Sequence, residues 1–268
     1  MKIILQLCFV LLLALTTVSC EINFESTFHK DTTTSMKVTL KIDEKMEEDM
    51  TSGQKEAGED TPKKFKGYSI AELPSKWTSF YALNKKSGKP LPSLQDSVRF
   101  LKSVWAKFDT KGDDLRGFSI KIDRAGKKDL RRFHQLFRDM SLEDGPNRNV
   151  TKRTETLEPR WDGKKLVIPV GEDPVAKEIS NPEVQKTQAE AKEALKFFTE
   201  MLNGANVIVS YTFTFECKIR KIQGTHDLIK KLDDYSVAYR VDMLDIVKKE
   251  AKGERIKRAD PEIIIWTE

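Results

Sequence analysis

The sequence predicts an α+β fold: a mostly antiparallel sheet built from hairpins, with amphipathic helices packed on one face. Three observations carry this expectation. Apolar and polar residues alternate in short runs that come in pairs, as Ile22, Phe24 and Phe28 do before Met36, Val38, Leu40 and Ile42. Turn-forming residues separate the members of the pairs, Asp162-Gly163 being the strongest example. Runs with helical spacing stand between the pairs, the order expected when helices cover an antiparallel sheet.

The chain opens with Met1-Lys2, an apolar run from Ile3 to Leu15, then Thr16-Thr17-Val18-Ser19 and Cys20. A charged start, an apolar middle and small residues before a cut form a secretory signal peptide over 1–19. The apolar run falls short of the roughly 20 residues a spanning helix needs. A cysteine directly after the small residues resembles the lipoprotein signal of bacteria, in which that cysteine is acylated and becomes the new N-terminus. Residues 20–268 then form a single extracytoplasmic domain, long enough for one substantial core.

Within that domain, the first two alternating runs join through Lys30-Asp31-Thr32-Thr33 as a hairpin. Met46 and Met50 suit a short helix over 43–50, and 51–66 reads as a loop. Ser75 is placed to cap a short helix carrying Trp77, Phe80 and Tyr81, with a loop over 85–92 after it. Ser93, with Asp96 three residues on, is placed to cap a helix with Leu94, Val98, Leu101, Trp105 and Phe108 on one face, which puts Trp105 in the core. Gly112-Asp113-Asp114 ends that helix, and Phe118, Ile120 and Ile122 alternate as a strand. Gly126 leads into a helix with Leu130, Phe133, Phe137 and Met140 on one side.

A loop over 141–152 follows. It contains Asn149-Val150-Thr151, which matches a glycosylation acceptor by chance in a bacterial lipoprotein. Trp161 to Pro169 form a hairpin that ends, or lies at a sheet edge, at Pro169. The longest helix is expected over 183–202, with Val184, Ala191, Leu195, Phe198 and Leu202 aligned and Asn203-Gly204 as its stop. A long strand over 206–222 has Val207, Val209, Tyr211, Phe213 and Phe215 inward. Tyr235, Val237, Tyr239 and Val241 alternate after an Asp233-Asp234 turn. Ile263 to Trp266 form a last strand able to share the sheet of the first.

Composition supports a folded body with a charged surface: 38% hydrophobic, 33% charged and 9% aromatic residues. The 47 basic and 42 acidic residues leave a mild excess of +5. Lys127, Lys128, Arg131, Arg132 and Arg138, and the group from Lys248 to Arg258, offer attraction to anionic lipid headgroups; an ordinary solvated surface is the competing reading. Neither group is interleaved with aromatics as a single-strand nucleic-acid site would be, and secretion also argues against such a partner.

Candidate chemistry is sparse. His29, His134 and His226 stand outside any metal-ligand spacing and read as surface histidines. There is no Gly-x-Ser-x-Gly elbow, P-loop or dinucleotide fingerprint. Glu47-Glu48-Asp49, Asp113-Asp114 and Asp233-Asp234 lack the facing geometry of a carboxylate pair, and Asp109 to Asp114 lacks calcium-loop spacing. No catalytic residue, cofactor or metal is therefore assigned. Trp77 and Trp161, beside a helix start and a hairpin turn, form a possible binding surface with Lys128, Arg131 and Arg132; core or cross-strand packing competes for both rings. Cys217 reads as a small buried apolar residue, with a Cys20–Cys217 disulfide as the rival.

Three segments together resemble a group of envelope lipoproteins from Bacteroidota-type bacteria. They are Leu15-Thr16-Thr17-Val18-Ser19-Cys20, the Phe24…Phe28-His29-Lys30-Asp31…Met36 hairpin, and Tyr211-Thr212-Phe213-Thr214-Phe215…Ile219-Arg220-Lys221-Ile222. This chain departs from the group in two places. The first turn, Asp31-Thr32-Thr33-Thr34, has no glycine, and Glu216-Cys217 stands where a proline is expected. The resemblance implies acylation of Cys20 and no known activity. The expected function is a lipid-anchored cell-envelope protein, at the outer membrane, with a binding or structural role. Its partners are the membrane through Cys20 and an envelope protein or anionic lipid. The alternatives are an extracytoplasmic hydrolase whose groups converge only in three dimensions, and a secreted, unlipidated protein.

Overall fold

The computed structural model describes residues 20–42, 64–65, 68–112, 114–142, 159–169, 207–242, 244–245, 248–249, 260 and 262–268. The signal segment, the Met46/Met50 helix, most of the 51–66 and 141–152 loops and the helix expected over 183–202 lie outside the described residues.

Strands β1 (Cys20–Phe28) and β2 (Thr34–Ile42) form the expected hairpin, with Cys20 opposite Ile42 and Phe28 opposite Thr34. Two short strands, β3 (Lys64–Phe65) and β4 (Tyr68–Ser69), pair with each other. Next come β5 (Thr78–Ser79), α1 (Phe80–Lys86), α2 (Gln95–Ser103), β6 (Val104–Lys111), β7 (Asp114–Ala125) and α3 (Lys127–Leu142). The chain continues through β8 (Arg160–Trp161), β9 (Lys165–Pro169), β10 (Val207–Phe215) and β11 (Ile219–Gln223). It closes with β12 (Ile229–Lys231), β13 (Ser236–Asp242) and β14 (Glu262–Thr267).

Eight strands form one sheet in the order β12-β13-β10-β1-β2-β7-β6-β5. Among the described pairs it is antiparallel except at its centre, where β1 runs parallel to β10. A second, antiparallel sheet has the order β11-β14-β9-β8. The fold is thus mixed, with an antiparallel-rich sheet.

The register puts Ile22, Phe24, Phe28, Met36, Val38, Phe118, Ile120, Ala106, Tyr211, Phe213 and Val237 on one face of the large sheet. That face serves two cores. On the β2-β7-β6 side, Val38, Ile120, Val104 and Phe108 join Phe80, Leu83, Phe100 and Phe133 from the helices. On the β10-β13 side, Phe28, Phe213, Phe215 and Val237 join Leu166, Ile168, Ile263 and Ile265 of the second sheet. Phe24 links the halves, stacked on Tyr211 at 4.5 Å and edge-on to Phe137 at 5.7 Å. The opposite face is polar. Lys37 pairs with Glu25 at 2.9 Å, Lys41 with Glu21 at 2.8 Å, and Thr39 bonds Ser119 at 3.0 Å.

Several expectations change. The helix read over Leu94 to Phe108 ends at Ser103, and its last third is strand β6. Leu94, Val98, Leu101, Trp105 and Phe108 fit a helix, but Val104, Ala106 and Phe108 also fit period two, and pairing with β7 decides for the strand. Trp105 is consequently not core but 37% exposed. Ser79, not Ser75, caps α1, accepting from the Ala82 amide at 3.3 Å, and Leu94 occupies the α2 cap position in place of Ser93. The strand read over 206–222 is two strands, parted at Glu216-Cys217-Lys218, where the chain leaves the large sheet for the second. The final strand lies in that second sheet, not beside the first strand.

Cys217 is half-buried and free. Cys20 lies opposite Val207 at the start of β10, and Cys217 follows just past its far end at Phe215. The length of β10 alone is about 26 Å at strand rise, which excludes the Cys20–Cys217 disulfide.

Gly117 supports the β2–β7 pairing by having no side chain: a Cβ there would collide with the Leu40 carbonyl oxygen and lie 3.3 Å from the Lys41 Cα. Because the obstacle is backbone, it cannot rotate away. Gly117→Ala is expected to cost about 2 kcal/mol, read as a fall in the urea midpoint; an unchanged midpoint would show that the strands separate freely there.

Candidate functional site

At the Phe28 end of the large sheet three departures from regular strand meet. The first is the β1–β2 turn. His29 donates its amide to Thr33 O at 3.0 Å, and Thr32 donates to His29 O at 3.1 Å. Asp31 Oδ1 accepts from both the amide and the hydroxyl of Thr33. With no glycine available, Thr32 takes the left-handed conformation at φ 66°, which is costly for a β-branched residue. The second is a bulge in β7 opposite Ser35, where the register shifts between Thr34 and Met36. There Arg124 adopts φ 46° and donates its amide to Ser35 Oγ at 3.0 Å. The third is the exit from β10, where the Glu216 amide donates to Phe28 O at 3.2 Å.

These backbone features bring together side chains far apart in sequence. His29, only 8% exposed, sets Nδ1 2.6 Å from Glu216 Oε1 and Nε2 2.9 Å from Ser35 Oγ. The Lys30 amide donates to Glu216 Oε2 at 3.0 Å. Arg124 spans the opening, with Nη2 2.9 Å from Glu216 Oε1 and Nη1 3.0 Å from Asp31 Oδ2. Trp161 closes the other side: its Nε1 donates to His29 O at 2.8 Å, and its ring lies against Phe28 and Phe215. Gly163, in the turn after β8, allows this approach, since a Cβ there would stand 3.3 Å from Lys30 O.

The electrostatics follow from the partners. The Lys30 amide and then His29 hold the Glu216 carboxyl below its ordinary value, against a smaller opposing effect of burial. Hydrogen bonds from Thr33 lower Asp31 in the same way, with Arg124 adding to the effect. A consistent proton arrangement has His29 Nδ1–H donating to the Glu216 carboxylate, which leaves Nε2 to accept the Ser35 hydroxyl proton. Ser35 Oγ then accepts from the Arg124 amide. Hydroxyl, imidazole and carboxylate form one chain able to move a proton between Oγ and Nε2.

The residues singled out in the sequence lie in three places. Trp161 belongs to this cluster. Trp77 precedes β5, partly exposed, with Lys121 Nζ 5.4 Å from its ring centre. Lys128, Arg131 and Arg132 lie on α3, where Lys128 and Arg132 reach Asp96 of α2 at 2.9 and 3.1 Å. Arg99 bridges Asp96 to Asp129, and hydrogen bonds from Lys128 and Arg99 pull the Asp96 carboxyl down to about 2. Two of these cations therefore tie helix to helix.

Sequence reasoning missed His29, Ser35, Arg124 and Glu216 as a group, because no local spacing connects them. The one signal was Glu216 itself, standing where the resembling lipoproteins are expected to have proline. His29 and His226 are both buried rather than surface residues. His226 Nδ1 accepts the Leu228 amide at 3.2 Å, and its ring meets Tyr239 edge-on. Among the described residues, no group of three His, Cys, Asp or Glu is placed to hold a metal, and no helix is long and apolar enough to cross a membrane.

No family model matches the chain, and no curated protein matches it. Among solved structures it is similar to the NMR structure of the folded domain of LppM from Mycobacterium tuberculosis. The TM-score is 0.39, with 9% identity over 94% of this chain and 93% of that one.

The lowered Glu216 and Asp31 carboxyls link stability to pH. A folded value below the unfolded one gives stability that is present above the unfolded value and lost as pH falls through the folded one. The melting temperature is expected to fall between about pH 5 and about pH 3, and to fall less steeply in Glu216→Gln; equal slopes would show that the Glu216 charge does not contribute. Independently, Thr32→Gly removes a left-handed β-branched residue and is expected to stabilise by about 1 kcal/mol in urea unfolding. A loss of stability would mean that the Thr32 methyl, packed near Gly163, outweighs the strain.

Proposed function

We propose that this chain is a lipid-anchored protein of the bacterial cell envelope that acts by binding or structural association, with residues 1–19 removed and Cys20 acylated. The observation that supports it most is where the strand begins. Cys20 is the first residue of β1, and β1 is hydrogen-bonded on both edges, to β2 and to β10. An acyl group on Cys20 attaches the centre of the large sheet to the bilayer with almost no tether. Two or more chains make such an anchor stable, since one alone binds reversibly.

This attachment orients the molecule. The ends of β2 and β13, the start of β10 and the β6–β7 hairpin at Gly112 share the Cys20 end of the sheet and face the bilayer. Lys111, exposed near that end, suits anionic headgroups. The His29 cluster lies about 27 Å further along β1, at the end facing away from the membrane. The outer membrane is the proposed location and another envelope protein the proposed partner.

The test is the intact mass of the N-terminal peptide from membrane-extracted protein, beside Cys20→Ala. A diacylglyceryl-modified Cys20, lost in the variant together with membrane retention, is the expected result. An unmodified N-terminus in freely soluble protein would overturn the anchor and favour a secreted protein.

A further inference from the structure

We infer that Ser35, activated by His29, is a nucleophile for acyl transfer from activated esters. The inference does not depend on the lipid anchor. It rests on one juxtaposition: Ser35 Oγ 2.9 Å from His29 Nε2, with His29 Nδ1 2.6 Å from Glu216 Oε1. Those are the distances at which a hydroxyl, a base and an orienting carboxylate work as a unit, recognised by geometry rather than by sequence order.

Each member is held by a contact that suits its role. Glu216 Oε1 faces both His29 and Arg124, and Oε2 accepts the Lys30 amide, so the carboxylate cannot rotate away from the imidazole. The imidazole is nearly enclosed, while Ser35 is only half-buried and sits at the start of β2. The Arg124 amide points at Ser35 Oγ from 3.0 Å and stabilises negative charge there as the proton leaves. That amide is available because Arg124 is held at positive φ in the β7 bulge. The other non-glycine residue at positive φ among those described, Thr32, lies in the turn that carries His29.

In the step itself, Ser35 Oγ attacks the carbonyl carbon and the Oγ–C bond forms. The carbonyl π electrons move to oxygen, and the hydroxyl proton passes to Nε2. Collapse of the adduct breaks the bond to the leaving alcohol, which takes the proton back from Nε2 and leaves an acyl-serine. Water then repeats the sequence, so that ester and water give acid and alcohol. The one backbone amide aimed at Ser35 Oγ supports the nucleophile and not the leaving group, so the donor must carry its own activation. This selects esters over amides.

A fluorophosphonate probe reports the same attack: the Oγ–P bond forms, P–F breaks and the proton goes to Nε2. The experiment labels the full chain, maps the adduct by peptide mass, and compares native protein with protein in urea and with Ser35→Ala and His29→Gln. The expected result is one adduct on Ser35, formed about 100-fold faster in native than in urea-treated protein, absent in Ser35→Ala and slowed about 100-fold in His29→Gln. No adduct on Ser35 in the native protein, or equal rates in native and urea-treated protein, overturns the proposal. So does an unchanged rate in a His29→Gln variant that keeps its melting transition. Should that variant unfold, the comparison of native with urea-treated protein decides.

Discussion

Strand β1 is hydrogen-bonded along both edges, and its partners come from opposite ends of the chain: β2 follows at once, whereas β10 begins at Val207. Parallel strands cannot be joined by a tight turn, so everything between them is crossover. Here the crossover contains the helices, the β6–β7 hairpin and the β8–β9 hairpin. The large sheet is therefore incomplete until β10 docks. The side chains of β1 enforce this coupling, because Phe24 packs against the helix-side core and Phe28 belongs to the core under the second sheet. Contacts of such long sequence separation delay folding, since the loop must close before they form.

One apolar face covered by two different layers needs a corner, and Glu216-Cys217-Lys218 provides it. Up to Phe215 the chain belongs to the large sheet; from Ile219 it belongs to the second. The corner leaves backbone groups without regular ladder partners, and buried groups of that kind must be satisfied. The Glu216 amide reaches Phe28 O and the Ile219 amide reaches Asp234 O at 2.8 Å, while in the adjoining β1–β2 turn the His29 carbonyl accepts the Trp161 indole as well as the Thr32 amide. The polar cluster thus lies where the two sheets part, because there backbone geometry and unmet hydrogen bonds coincide.

Much of this was legible in the sequence. The β1–β2 and β8–β9 hairpins were, because period-two alternation flanked by turn residues has few other solutions. Val237 and Tyr239 were correctly set on one strand. The stretch from Leu94 to Phe108 was not, because its apolar residues satisfy both periods and only β7 arbitrates. The division of 206–222 between two sheets was also hidden. Alternation says which side chains share a face but not which strand lies alongside, and Phe213 and Ile219 read alike. The site was the least legible part. His29 and Glu216 are 187 positions apart, and each alone looks like an ordinary surface residue.

A corner that needed only to close would not require this chemistry. Apart from the buried His29, the charged groups at this corner lie open to solvent, where ion pairs contribute little to stability. Here a nearly buried imidazole, a guanidinium and two carboxylates are gathered at one turn. The same place holds Thr32 and Arg124 in backbone conformations that cost free energy rather than supply it. Trp161, Phe28 and Phe215 already provide a tight apolar floor beneath it. Stability alone therefore leaves the upper layer of the corner unexplained. What that layer achieves is an imidazole fixed between a carboxylate and a half-buried hydroxyl, with an amide aimed at the hydroxyl oxygen. A flexible surface cannot hold that order, and a purely apolar corner does not contain it.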